Sequence, residues 1–168
     1  SACLGGEVAR TLMEYGVETA EKVVEYYKSV FGSDYYLEVM LHPAKAERER
    51  KSTYESELFV AKNVLEMGKK LGVKVIATND VHFTNASDAE AHDILICLNT
   101  ASDYADPSRM RYTREEWFKT TNEMYELWHE HPEVLQNTIE IADKVEQYEL
   151  DSAPIMPEFP IPEKFGTM

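Results

Sequence analysis

Apolar residues recur at helical spacing over most of the chain, interrupted twice by short alternating runs. From Gly6 to Phe31 two stripes follow one another: Val8, Leu12 and Met13, then Val17, Ala20, Val23, Val24, Tyr27 and Phe31. Spacings of three and four predict two helices. Gly16 separates them and Gly32 ends the second. DYYLEVML then alternates and is rich in Tyr, Leu and Val, which predicts a strand from about Tyr35 to Leu41, closed by His42-Pro43. Residues 44–54 are strongly charged with no clear apolar face and read as a loop or a helix start. Leu58, Ala61, Val64, Leu65, Met67, Gly68 and Leu71 form one face of a helix that Gly72 ends. VKVIATND follows at once as a second strand. A strand–helix–strand order with so long a connection favours parallel pairing.

Beyond His82 the pattern is helical and polar. A helix from Ala86 to Leu98 is expected, with Asn85 or Ser87 as its cap and Ala91, Ile94, Leu95 and Leu98 as its apolar side. TREEWFKT reads as a short helix capped by Thr113, and TNEMYELWHEH as another capped by Thr121 or Asn122. PEVLQNTIEIADKVEQ reads as a third. Pro132 lies near its first turn, and Val134, Leu135, Thr138, Ile141, Ala142 and Val145 lie on its buried face. The last stretch, APIMPEFPIPEKFGTM, holds four of the seven prolines and reads as a semi-extended connector. The expected class is α/β: helix-rich, with two parallel strands, a helical C-terminal region and an extended tail.

Composition narrows the function. The 168 residues carry 17 Lys and Arg against 31 Asp and Glu, a formal net charge of -14. Nucleic-acid affinity rests on basic residues neutralising phosphates, so this acidic surface is not expected to grip DNA by itself. No apolar run is long enough for a membrane-spanning helix. The opening SACLGGEVAR lacks the basic start and apolar centre of a secretory signal. It also begins without Met, so a piece of a larger protein is expected. Two cysteines, Cys3 and Cys97, are too few for a disulfide framework and fit a reducing compartment.

The candidate chemistry centres on Asp80 and His82. They end a predicted strand, and side chains two apart on an extended segment point the same way. A carboxylate and an imidazole there can converge on one metal ion; on spacing alone, an Asx-turn with an exposed histidine is the favoured reading. Cys3 is a thiolate ligand of the kind zinc takes, or a small buried hydrophobe. His42, beside Pro43, reads first as part of a turn and second as a ligand. His92 stands four residues after Asp88, within pairing distance on a helix, but a capping or packing histidine is the favoured reading, and Cys97 reads as core. His129 and His131 have metal-like spacing, yet a helix C-terminus accounts for them through its dipole. Arg109 and Arg111 could grip a carboxylate or phosphate; internal salt bridges to the acidic helices are the favoured reading.

Taken in order, SACLGGE, VIATNDVHF, DAEAHDILICLNT, DPSRMRY and NTIEIADK resemble the PHP (polymerase and histidinol phosphatase) domain of the bacterial replicative DNA polymerase III alpha-subunit family. PIMPEFPIPE resembles the segment leading from that domain into the polymerase palm. The resemblance implies the C-terminal half of a distorted (β/α)7 barrel with a metal cluster at the C-terminal ends of its strands. Cys3, Asp80 and His82 match the family's Cys and late D-x-H ligands, and the remaining ligands belong to the family's N-terminal half. Thr78 and Asn79 are candidate groups behind those ligands. The implied cofactors are divalent metal ions (Zn, Mn or Mg), supporting phosphoester hydrolysis such as 3′–5′ exonuclease action. Where family members have lost the ligands, the domain is a non-catalytic scaffold.

The same resemblance divides the chain into residues 1–112, the end of the PHP domain; 113–150, a helical region finishing it; and 151–168, a proline-rich linker. It implies a DNA-directed DNA polymerase in the bacterial cytoplasm as the parent protein. DNA and other replicase subunits would be partners of that parent, with no membrane partner. The isolated chain is expected to be inactive, and its unpaired strand edges would favour self-association.

Overall fold

The computed structural model describes residues 3–44 and 51–157. Its first helices are α1 (Glu7–Tyr15) and α2 (Val17–Phe31). Gly16 lies between them at φ +84°, a backbone region that residues with a Cβ rarely enter. This turn lets Ala9 and Leu12 of α1 face the same core as Ala20 and Val24 of α2. Gly32, at φ +60°, ends α2 by donating its N–H to the Lys28 carbonyl.

β1 (Leu37–Val39) and β2 (Val75–Ala77) pair in parallel, with Leu37 opposite Val75 and Val39 opposite Ala77. The connection carries α3 (Lys51–Leu71); residues 45–50 of the charged stretch lie outside the described residues. Leu37, Val39, Val75 and Ala77 meet Val60, Ala61, Val64 and Met67 of α3 in one core. Leu58, expected on the inner face of α3, is exposed, and Glu57 is buried in its stead because it pairs with His42. Gly68 sets the closeness of helix and sheet: a Cβ there would stand 2.6 Å from Val75 Cγ2 and 2.8 Å from the Val73 carbonyl.

α4 (Ala89–Thr100), α5 (Thr121–Leu127) and α6 (Glu133–Asp143) complete the helices. α6 lies along β2, with Val134 fully buried. The Lys74 carbonyl and Thr78 N–H bond to β1, so the Val75 carbonyl points to the opposite edge. Asn137 Nδ2 donates to it at 2.8 Å, closing an edge position that would otherwise be open. Glu140 accepts from the Tyr36 hydroxyl at 2.6 Å and pairs with Lys74, tying α6 to the start of both strands.

Four local expectations are corrected. Residues 113–120 are not helical, because their backbone groups bond to the loop after β2. α5 is capped by Thr120, one residue before the expected Thr121, with Glu123 completing the capping box. Ala142 and Val145 lie outside the buried face of α6. α4 is turned over: Asp93 and Cys97 face inward, while Ile94, Leu95 and Leu98 are 48%, 55% and 72% exposed. The reason is the buried Asp93–Arg109 pair, whose two hydrogen bonds of 2.5 and 2.7 Å fix which side of the helix is inside.

The sheet has two strands, and the described residues form no closed barrel. Among them no helix is long and apolar enough to cross a membrane. Residues 151–157 are irregular and exposed, and 158–168 of the proline-rich stretch lie outside the described residues.

Two substitutions test this packing by chemical denaturation. Gly68→Ala is expected to destabilise by about 1–3 kcal/mol through overpacking, although alanine favours a helix by roughly 1 kcal/mol. Leu98→Lys, on the outward side of α4, is expected to shift stability by no more than about 0.5 kcal/mol.

Candidate functional site

The C-terminal end of β2 runs into a loop held from both sides. Thr78 N–H continues the ladder to the Val39 carbonyl at 3.0 Å, and its hydroxyl donates to Glu38 Oε1 at 2.6 Å. Asn79 is buried; its Nδ2 donates to the Trp117 carbonyl at 2.7 Å. Three residues on, His82 N–H donates to the Glu116 carbonyl at 2.7 Å. Phe83 bridges in parallel to Trp117. Residues 113–118 therefore serve as a brace for this loop. Glu116 holds the brace in shape, because its Oε1 accepts from both the N–H and the hydroxyl of Thr113 at 2.9 and 2.6 Å.

Behind the loop lies His42. It is 2% exposed. Its Nε2 stands 2.9 Å from the Asn79 carbonyl, which can only accept, so that nitrogen carries a proton. Its Nδ1 stands 2.7 Å from Glu57 Oε1, and its backbone N–H donates to Glu57 Oε2, also at 2.7 Å. Burial pushes the imidazole pKa down, but the hydrogen bond and charge of Glu57, the Asn79 carbonyl and the charge of Glu116 outweigh it. The net shift is upward. His42 is thus a buried imidazolium clamping the ends of β1 and β2 to α3. No turn is formed over the described residues 40–44, and His42 is far more buried than His-Pro alone suggests.

Between the clamp and the brace, Asp80 adopts φ +42°, the left-handed region that Asp tolerates better than most residues. The extended geometry expected for residues 80–82 is therefore absent. The turn nonetheless brings Asp80 Oδ2 to 3.5 Å from His82 Nε2. Two donors each bonded to one zinc at ordinary lengths and the tetrahedral angle stand about 3.4 Å apart. The pair has the donor chemistry and spacing of one edge of such a coordination shell.

The His82 ring packs on Tyr112, with centroids 4.7 Å apart, and on His92, at 5.5 Å; His92 and Tyr112 are 5.0 Å apart. His92 is thus the packing histidine of the favoured reading; Asp88, its possible partner, is engaged in a capping box with Asn85. Burial first, and then the charge of His82, hold the His92 imidazole below its ordinary pKa, against opposing pulls from Glu116 and Asp93. Burial first, and then the negative charges of Asp80, Glu116 and Cys3, push the Tyr112 phenol up. Cys3, part-buried in the turn before α1, thus lies within electrostatic reach of the cluster. Among the described residues, however, no three His, Cys, Asp or Glu side chains are grouped closely enough to hold a metal ion.

The other candidates have structural roles. Arg109 is buried against Asp93 and stacks on the Tyr104 ring, and Arg111 donates to the Asp106 carbonyl. Cys97 is buried. His129 meets the Glu126 carbonyl at the end of α5, as the dipole reading expects. His131 pairs with Glu133. Sequence reasoning missed Tyr112 and Glu116. Tyr112 ends the DPSRMRY motif but drew no notice beside its two arginines; Glu116 stands in no motif, and only the non-helical path of residues 113–118 brings it to the loop.

Comparison with known proteins identifies relatives over the whole chain. It is 34% identical to the DNA polymerase III subunit alpha of Borreliella burgdorferi, an alignment covering 100% of this chain and 14% of that protein. It is 35% identical to the DNA polymerase III subunit alpha of Campylobacter jejuni over 86% of this chain and 12% of that protein. The figures for the Chlamydia muridarum protein of the same name are 36%, 86% and 13%. No protein-family model matches the chain. The chain is thus homologous to a segment of DNA polymerase III alpha subunits and spans about a seventh of their length, 14% in the first comparison.

The clamp makes stability depend on pH in a defined direction. A raised imidazole pKa contributes stability that is complete below the unfolded value of about 6.5 and is lost as pH rises through the folded value. The wild type is expected to exceed His42→Gln by about 3 kcal/mol at mildly acid pH. That difference should shrink steadily on the alkaline side of 6.5 in urea titrations. A constant difference from pH 6 to 9 would contradict a charged His42.

Proposed function

We propose that this chain is the C-terminal half of the PHP domain of a DNA polymerase III alpha subunit, and that Asp80, His82 and Cys3 are ligands of its divalent metal cluster. Residues 1–112 would end the PHP domain, 113–150 finish its helical part and 151–168 lead on as a linker. The observation that carries the proposal is the 3.5 Å approach of Asp80 Oδ2 to His82 Nε2, at the C-terminal end of a parallel strand. Such strand ends are where α/β folds gather their functional side chains.

The division of labour follows from the donors. Asp80 supplies a hard anionic oxygen and His82 a neutral nitrogen, a set suited to Zn, Mn or Mg in the order of decreasing nitrogen preference. Cys3 adds a thiolate when zinc is the ion. A bound divalent ion supplies activation of water and charge stabilisation at a phosphodiester. Clamp and brace hold the two ligand-bearing residues in place without touching the reacting atoms.

The whole protein would be a DNA-directed DNA polymerase, in which DNA and other replicase subunits are the partners. This acidic segment would not itself grip DNA. A second reading, a non-catalytic scaffold supporting the polymerase core, is favoured by one observation: the described residues alone group no three metal ligands. The outward apolar side of α4 and the short two-stranded sheet support self-association of the isolated chain. A monomer mass by light scattering at tens of micromolar, about the dissociation constant of a weak interface, would contradict that.

Metal analysis of a full-length subunit carrying this segment separates the two readings. Bound Zn or Mn is expected, with occupancy falling at least about tenfold in Asp80→Ala, since one ligand is removed. A subunit that purifies and reconstitutes without metal would leave the scaffold reading.

A further inference from the structure

A histidine that binds a cation is ordinarily held by a hydrogen bond from its second ring nitrogen to a carboxylate or carbonyl. His82 departs from this arrangement. Its Nε2 faces Asp80, and among the described residues its other nitrogen makes no hydrogen bond. The side chain is 31% exposed, so the backbone alone would leave its ring free to change rotamer.

Ring packing fills the gap. Tyr112 and His92 meet the imidazole at 4.7 and 5.5 Å and touch each other at 5.0 Å, so three rings form a closed triangle. Phe83 backs His92 at 5.1 Å. We propose that Tyr112 and His92 are positioning residues that hold the His82 imidazole turned toward Asp80. This rests on reading Asp80 and His82 as donors to one cation.

The triangle also gives the Arg109–Asp93 pair a use. Asp93 follows His92 on α4, and Arg109 stands three residues before Tyr112. The two-pronged pair between them, at 2.5 and 2.7 Å, fastens the two ring-bearing segments together. A third contact, Arg114 to Asp93 at 3.4 Å, ties in the start of the brace. The inversion of α4 thus follows from the same contact that brings His92 to His82.

The role is carried by ring shape and not by the hydroxyl or the second imidazole's nitrogens, which separates it from direct metal ligation. Two measurements test it. In the 168-residue chain, the His82 ring proton signals should show ring-current shifts that persist in Tyr112→Phe and collapse in Tyr112→Ala. In a full-length subunit, Mn2+ affinity measured by calorimetry should stay within about twofold for Tyr112→Phe and His92→Phe. It should fall about tenfold or more for the alanine variants, the usual cost of losing a group that orients a ligand.

Unchanged His82 ring signals in both alanine variants would overturn the positioning role whatever the metal result. A folded His92→Phe with tenfold weaker Mn2+ binding would also overturn it, making His92 a ligand. A wild-type subunit that takes up no Mn2+ while the ring signals respond as expected would instead overturn the metal reading and leave the packing role standing.

Discussion

The buried pair of His42 and Glu57 is the constraint on which the rest of the site depends. Burying two charges costs several kcal/mol per ion unless geometry and hydrogen bonds compensate. Here one residue gives Glu57 two donors, a ring N–H and a backbone N–H, and gives its last proton to the Asn79 carbonyl. Three elements thereby become one unit: the end of β1, the first half of α3 and the end of β2. The turn at Asp80 begins at the residue this unit holds.

That turn is left-handed at a residue with a Cβ, a conformation that persists only when the surroundings impose it. The His42 clamp fixes it on one side, and the Glu116 carbonyl fixes it on the other. The conformation has a consequence for chemistry: it turns Asp80 and His82 toward each other on the surface while Asn79 stays inside. Packing makes a rigid frame, and the frame sets two exposed donors at a spacing one metal ion can use. The homology to DNA polymerase III alpha subunits gives this frame a context, as a segment about a seventh of a longer chain in which further donors could lie.

Much of the frame was legible in the sequence where glycine punctuation and periodicity agreed. Gly16, Gly32 and Gly72 all fall in positive-φ positions at helix ends, and both strands sit where alternation placed them, in parallel. Legibility failed where side chains bond over long distances. Residues 113–120 have helical composition, but Asn79, His82 and Phe83 claim the carbonyls of Glu116 and Trp117. In α4 hydrophobicity alone puts Ile94, Leu95 and Leu98 inside, whereas a bidentate salt bridge puts Asp93 there. Asp80 and His82 were legible as a pair, but for a geometric reason that does not hold, since the backbone is turned and not extended. Tyr112 lies within DPSRMRY but gave no hint of its role, which exists only once three segments meet.

The His42–Glu57 clamp, acting through Asn79, holds the loop that presents Asp80 and His82. Amide hydrogen exchange in Glu57→Gln tests it directly, with the Leu37 N–H, bonded to Lys74 in the strand ladder, as internal reference. The His82 N–H should lose about tenfold more protection than Leu37, the mark of a local opening worth about 1.4 kcal/mol. Equal losses at the two amides, or none at His82, would contradict it.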